Sequence, residues 1–240
     1  MDTLGKLYGI GVGPGDADLI TVKAVKILGL VEVIFTASSS ENDFSLALEI
    51  ARPHLRDDVD TRILSFPMKK DRSVMNEAWE KHAATIAGEV SKGLQVAFLT
   101  LGDPLTYSTF GYILQKLDKR YPQIPIETIP GITSFQASAA RINTPLVEGE
   151  ESLLVTSGAA GGDNLRKIDG KIENVVLLKA YKHLPDIVDA LEQCDMLATS
   201  TAISRCGRDD ESITRDLAEL VERRPDYWTL VIAKKNLKRG

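Results

Sequence analysis

The stretch Leu99-Thr100-Leu101-Gly102-Asp103-Pro104-Leu105-Thr106-Tyr107-Ser108-Thr109 sets a carboxylate between a glycine and a proline at the end of an apolar run. Residues 94–101 read as a buried strand, and a helix-spaced apolar segment follows Ser108-Thr109. Open α/β sheets hold ligands where a strand ends in a tight, glycine-bearing loop before a helix. Gly102 allows another group to come close to the backbone. Pro104 fixes its own φ and turns Asp103 away from helix. Asp103 therefore offers a negative charge at a strand tip, although capping the next helix is its ordinary use. Pro130-Gly131-Ile132-Thr133-Ser134 forms a second loop of this kind. Asp16-Ala17-Asp18 has the form of a D-x-D metal motif, but helix capping is the stronger reading. His54, His82 and His183 are far apart and not at zinc-ligand spacing. No histidine or carboxylate stands out as a general base; Tyr107 and Asp103 are the candidates.

These loops need strands behind them. Residues 6–12 read as a strand, followed by Gly13-Pro14-Gly15-Asp16 and by a helix capped by Asp18 or Thr21. Residues 31–35 form the next strand and complete a βαβ unit. The dinucleotide pattern G-x-G-x-x-G fails from Gly9, where Pro14 takes the last position, and from Gly11, where Asp16 does. A backbone cradle for an anion stays open. Helices are expected over 44–55, from Met75 through Val90 to a Lys92-Gly93 end, and over 108–120, 135–141, 184–193 and 212–223. Strands are expected over 62–66, 126–129, 152–156, 175–180, 196–201 and 227–233. Trp79 reads as core. Tyr121-Pro122-Gln123-Ile124-Pro125 is the expected boundary between domains 1–121 and 122–240.

The 240 residues suffice for two α/β domains, and 43% hydrophobic with 26% charged residues is ordinary for a soluble globular chain. A net charge of −5 speaks against a nucleic-acid surface. Cys194 and Cys206 are too few for a disulfide framework and suit a reducing compartment. The first residues lack a signal-peptide pattern and no apolar run reaches the roughly 20 residues of a membrane span, so a cytoplasmic protein is expected. Lys69, Lys70, Arg72, Arg141, Arg205 and Arg208 are candidate carboxylate partners, each with an ordinary surface role as the alternative.

Five blocks then fall together in order and spacing. They are Gly9-Ile10-Gly11-Val12-Gly13-Pro14-Gly15-Asp16 with Leu19-Ile20-Thr21-Val22-Lys23-Ala24; Leu101-Gly102-Asp103-Pro104 with Tyr107-Ser108; Pro130-Gly131-Ile132-Thr133-Ser134; Val176-Leu177-Leu178-Lys179-Ala180; and Ser204-Arg205-Cys206-Gly207. Over nearly the whole chain they resemble the tetrapyrrole (corrin/porphyrin) methylase family. The run Leu101–Phe110, the stretch Glu148-Gly149-Glu150-Glu151-Ser152-Leu153 and Ser204–Gly207 with Asp210-Glu211 resemble the branch that methylates C20 of precorrin-2 or cobalt-factor II in cobalamin biosynthesis.

The resemblance implies two α/β domains with a cofactor cleft between them, a homodimer, S-adenosylmethionine as cosubstrate and a tetrapyrrole as substrate. By motif, it implies cofactor contacts at Leu101, Gly102, Asp103 and Thr106, at Thr133 and Ser134, and at Pro14, Lys179, Ala180 and Cys206. Uroporphyrinogen methylases of the family carry a Tyr-Asp pair after the second strand; Phe35-Thr36-Ala37-Ser38-Ser39 has no Asp, which speaks against that substrate. Sulfonium chemistry needs no covalent intermediate, so Cys206 reads as packing or cofactor wall and not as a nucleophile. Three alternatives remain: a methylase of this fold acting on another corrinoid carbon, a non-catalytic tetrapyrrole carrier, and a sugar transferase using Asp16 and Asp18.

Overall fold

A computed structural model describes residues 3–39, 45–66, 71–168, 171–223 and 225–235. The chain divides at Thr133/Ser134 into two units, each built on its own five-stranded sheet. The first unit runs β1 (Lys6–Gly11), α1 (Val22–Leu28), β2 (Val33–Ser39), α2 (Leu46–Ala51), β3 (Asp60–Phe66), α3 (Arg72–Ser91), β4 (Gln95–Thr100), α4 (Thr109–Arg120) and β5 (Ile126–Ile129). Its strands lie in the order β3-β2-β4-β1-β5, all parallel.

Parallel strands are covered on both faces, which explains why β4 is apolar almost throughout. From β1 to β3 the chain steps across the sheet one way, then returns through β4 to β5. Right-handed crossovers therefore put α1 and α2 on one face and α3 and α4 on the other. The packing agrees. Leu7, Val33, Phe35 and Phe98 pack with Ile86, Val90, Phe110 and Ile113, while Ile10, Ile34 and Leu99 pack with Ala24, Leu28, Ala47 and Ile50. Side-chain caps fix where the helices begin. Thr21 Oγ1 accepts from Ala24 N at 3.2 Å, Asp71 Oδ1 from Ser73 N at 2.8 Å, and Ser108 Oγ from Phe110 N at 3.1 Å. Asp16 caps a 3-10 turn, Ala17–Leu19, through Asp18 N at 2.9 Å, so the D-x-D residues serve as turn structure.

The second unit runs α5 (Ser134–Arg141), β6 (Leu153–Ser157), α6 (Asp163–Arg166), β7 (Asn174–Leu178), α7 (Leu184–Gln193), β8 (Thr201–Ser204), β9 (Ser212–Thr214), α8 (Leu217–Arg223) and β10 (Thr229–Lys234). Its strand order is β6-β7-β10-β8-β9, with only β6 and β7 parallel. Val175, Leu177, Ala202 and Val231 pack against Leu184, Ile187, Leu191 and Leu217. Among the described residues no helix is long and apolar enough to cross a membrane.

Three expectations change. The division falls beyond 121/122, because residues 126–129 add β5 to the edge of the first sheet beside β1. The strand expected over 196–201 begins only at Thr201. Thr199 Oγ1 and Ser200 Oγ both donate to Met196 O, at 3.0 and 2.8 Å, and hold Leu197–Thr199 in a 3-10 turn. The helix expected over 212–223 is β9 followed by α8. Ser212–Thr214 pairs along β8, and Asp216 Oδ1 then accepts from Ala218 N at 2.9 Å to start the helix.

Candidate functional site

In the first unit β1 and β4 are neighbours whose chains leave over opposite faces of the sheet, so a crevice opens at their carboxyl ends. Three loops meet there. Gly102 N donates to Gly13 O at 2.7 Å and Gly13 N to Gly102 O at 3.3 Å, a bridge joining the loops after β1 and β4. The loop after β5 closes on the same point. A Cβ on Gly131 would lie 2.1 Å from Gly102 O, and one on Gly11 would lie 2.4 Å from it. Only glycine permits that approach of three backbones. A Cβ on Gly102, at φ 69°, would instead meet Ile132 O and Thr133 Cα at ordinary van der Waals distance, both 3.9 Å.

Asp103 holds the loops in place. Its Oδ1 accepts from Leu105 N at 2.9 Å and Thr106 Oγ1 at 3.2 Å, and its Oδ2 accepts from Gly131 N at 3.2 Å. Tyr107 follows at φ 51° with half its surface exposed, and Ser108 Oγ meets Thr100 Oγ1 at 2.8 Å. Pro14, Leu101, Gly102, Asp103, Thr106 and Thr133 thus all lie on these three loops.

In the second unit β10 runs antiparallel to both β7 and β8, so its start lies beside their ends. Ala180 N donates to Thr229 O at 2.9 Å, and Ser204 Oγ meets Thr229 Oγ1 at 2.7 Å. Lys179, Ala180 and Cys206 are thereby gathered at one end of this sheet. Lys179 has φ 57° and Arg205 φ 53°, left-handed turns that end β7 and β8 sharply. Ser134 opens α5, the helix packed on β10.

The Cys206 thiol is buried near Ser138 and Glu211, and burial pushes its pKa up. A neutral thiol is a poor nucleophile. Glu211 Oε2 accepts from Gly207 N at 2.8 Å and its Oε1 from Arg141 Nε at 2.6 Å, which pins the Cys206 loop to α5. These bonds hold the Glu211 carboxyl below its usual range despite desolvation.

Among the basic candidates, two are spent internally. Arg141 pairs with Glu211, and Arg205 pairs with Asp226 at 2.6 Å and with Asp210, which raises its pKa further. Lys69 and Lys70 lie outside the described residues, and Arg72 begins α3. The sequence reading assigned no role to Asp226, Trp228 or Glu211. Asp226 does leave a local trace, since its Oδ1 accepts from Trp228 N two residues on, at 2.9 Å.

The description of the family Tetrapyrrole (Corrin/Porphyrin) Methylases matches residues 6–221, and the chain belongs to that family. It is 34% identical over 232 residues to a cobalt-precorrin-2 C(20)-methyltransferase of Salmonella typhimurium, covering 96% of this chain and 97% of that one. It is 30% identical over 236 residues to a precorrin-2 C(20)-methyltransferase of a Sinorhizobium species, covering 95% of each. Among solved structures it resembles a cobalt precorrin-4 methyltransferase, with a TM-score of 0.73 at 20% identity over 95% of this chain and 94% of that one. A uroporphyrin-III C-methyl transferase of Thermus thermophilus, complexed with S-adenyl homocysteine, gives a TM-score of 0.67 at 21% identity over 96% and 97%.

Proposed function

We propose that this protein transfers the methyl group of S-adenosylmethionine to C20 of precorrin-2 or its cobalt complex, as a cytoplasmic homodimer. The observation that carries the reading is the meeting of three glycine-bearing strand-tip loops at Gly102, with the Asp103 carboxylate tying two of them. It suits a donor that bears a cationic sulfonium and an ammonium group. Asp103 accepts three hydrogen bonds from the protein, and a carboxylate has room for about four. The names of the relatives supply the ring position and the substrate class. Neither Cys194 nor Cys206 is in a disulfide, which agrees with a reducing compartment.

S-adenosylmethionine supplies an already activated methyl, which moves to an electron-rich ring carbon while the C–S electron pair returns to sulfur. The protein then has to align the two partners and keep water away, which is worth several kcal/mol. Leu101, Gly102, Asp103 and Thr106 on the loop after β4, Pro14 after β1 and Thr133 after β5 are the residues we assign to the donor. Ser134, Lys179, Ala180 and Cys206 keep a donor role only as the family resemblance implies it. The C20 proton must leave after transfer. Asp103 already ties the loops through three hydrogen bonds, while the exposed Tyr107 phenol stands on the same loop.

The test is methyl transfer from S-adenosylmethionine, run in parallel on precorrin-2 and cobalt-factor II. Mass spectrometry counts the methyls and NMR places them. One methyl at C20 is expected, on the metal-free ring, the cobalt complex or both. No methyl on either, or a methyl on another carbon, overturns the reading.

A further inference from the structure

The end of the second sheet that carries Ala180 and Cys206 also carries an aromatic and cationic surface. Tyr181, Tyr227 and Trp228 form a chain of edge-on contacts, with centroids 5.2 and 5.9 Å apart. Two guanidiniums flank the Trp228 ring, Arg205 at 5.8 Å and Arg208 at 5.5 Å. They differ in how they are satisfied. Arg205 is held by Asp226 and Asp210 together. Among the described residues Arg208 pairs with the shared Asp210, 3.5 Å from its Nε, and interacts at longer range with Asp226, while its buried Nη1 has no hydrogen-bond partner.

A buried donor without a partner costs free energy, and a charged one costs more. The Arg208 side chain nevertheless keeps 27% of its surface exposed, and that exposed part is what a ligand can meet. A guanidinium braced on an indole face presents its remaining N–H donors in a fixed fork, the geometry that a carboxylate accepts with both oxygens. The neighbouring rings offer a flat apolar surface. Resting on the proposed function, whose substrate is a flat macrocycle bearing carboxylate side chains, we infer that Arg208, braced on Trp228, receives one carboxylate of the tetrapyrrole. It acts as a substrate-specificity residue, distinct from the groups assigned to the donor. Arg205 serves as scaffold beside it.

The experiment compares wild type, R208K and R208M by anaerobic titration with precorrin-2 and with cobalt-factor II. Tryptophan fluorescence reports tetrapyrrole binding, and calorimetry measures S-adenosylhomocysteine affinity in parallel. Losing a charge-assisted pair should weaken tetrapyrrole binding roughly 10- to 100-fold in R208M. R208K should fall between, since lysine keeps the charge but not the fork. S-adenosylhomocysteine affinity should stay within about twofold of wild type. Unchanged tetrapyrrole affinity in R208M overturns the inference. So does equal loss of both ligands with a lowered melting temperature, the mark of a structural role. A wild type that binds tetrapyrrole without methylating it defeats the proposed function, while the binding comparison still decides the role of Arg208.

Discussion

Asp103 Oδ2 accepts the Gly131 N–H at 3.2 Å and so joins the loop after β4 to the loop after β5. Its other oxygen is committed to Leu105 N and Thr106 Oγ1 on its own loop. Both oxygens must be acceptors for this arrangement to hold. D103N keeps only one, and whichever way the amide turns, an NH2 group faces a donor. D103A loses all three bonds. S-adenosylmethionine affinity measured by calorimetry should therefore fall roughly tenfold in D103N and 100-fold in D103A. Unchanged affinity in both would remove Asp103 from the site.

Glycines at the strand tips should separate into two kinds. A Cβ on Gly131 would lie 2.1 Å from Gly102 O, backbone against backbone, so G131A must push the two loops apart. Several kcal/mol of destabilisation are expected, comparable to severe overpacking in a core. A Cβ on Gly102 would make only ordinary contacts, at 3.9 Å, so its φ of 69° is the main obstacle to a side chain. G102A should cost about 1–2 kcal/mol in stability. Its larger effect should be on donor binding, because the methyl fills the space over the loop. Denaturant unfolding and calorimetry on both variants distinguish the two.

The buried Cys206 thiol has a raised pKa, so it should stay neutral at pH 8 and react with iodoacetamide well below the rate of a free cysteine. C206S should keep kcat within about tenfold and change chiefly the KM for S-adenosylmethionine. A covalent role would instead cost several orders of magnitude in kcat.

Much of the first unit was readable because parallel strands covered on both faces are apolar runs, and Gly102-Asp103-Pro104 and Pro130-Gly131 punctuate their ends. The donor loops could thus be placed from local pattern. Other features depend on contacts distant in sequence. Residues 126–129 follow two prolines, which locally mark a boundary, and only their pairing with β1 makes them the edge strand of the first sheet. Ser212-Ile213-Thr214 is short and ambiguous, and only its partner β8 makes it a strand. The second unit's residues came from family resemblance, since no local pattern links Arg205 to Asp226 or Arg141 to Glu211. Ion pairs between residues 21 and 70 positions apart leave no periodicity to read.

The pairing of β5 with β1 carries an electrostatic clasp that fixes one pH dependence. Glu127 on β5 takes Lys6 from β1 on one oxygen and Lys23 from α1 on the other, each at 2.5 Å. These bonds lower its pKa from 4.5 to about 2. The folded state therefore binds this proton less readily than the unfolded chain, and the carboxylate favours folding above the unfolded value of 4.5. That contribution falls as pH drops from 4.5 and is gone once pH passes below about 2. The pair is partly exposed, so the effect is modest and salt-sensitive. E127Q should unfold more easily than wild type at pH 7, with the gap narrowing through this window and shrinking in high salt. NMR titration should place the Glu127 carboxyl near 2 in the folded protein. A value in the ordinary glutamate range, or a stability gap that does not change with pH, would show that the clasp does not form.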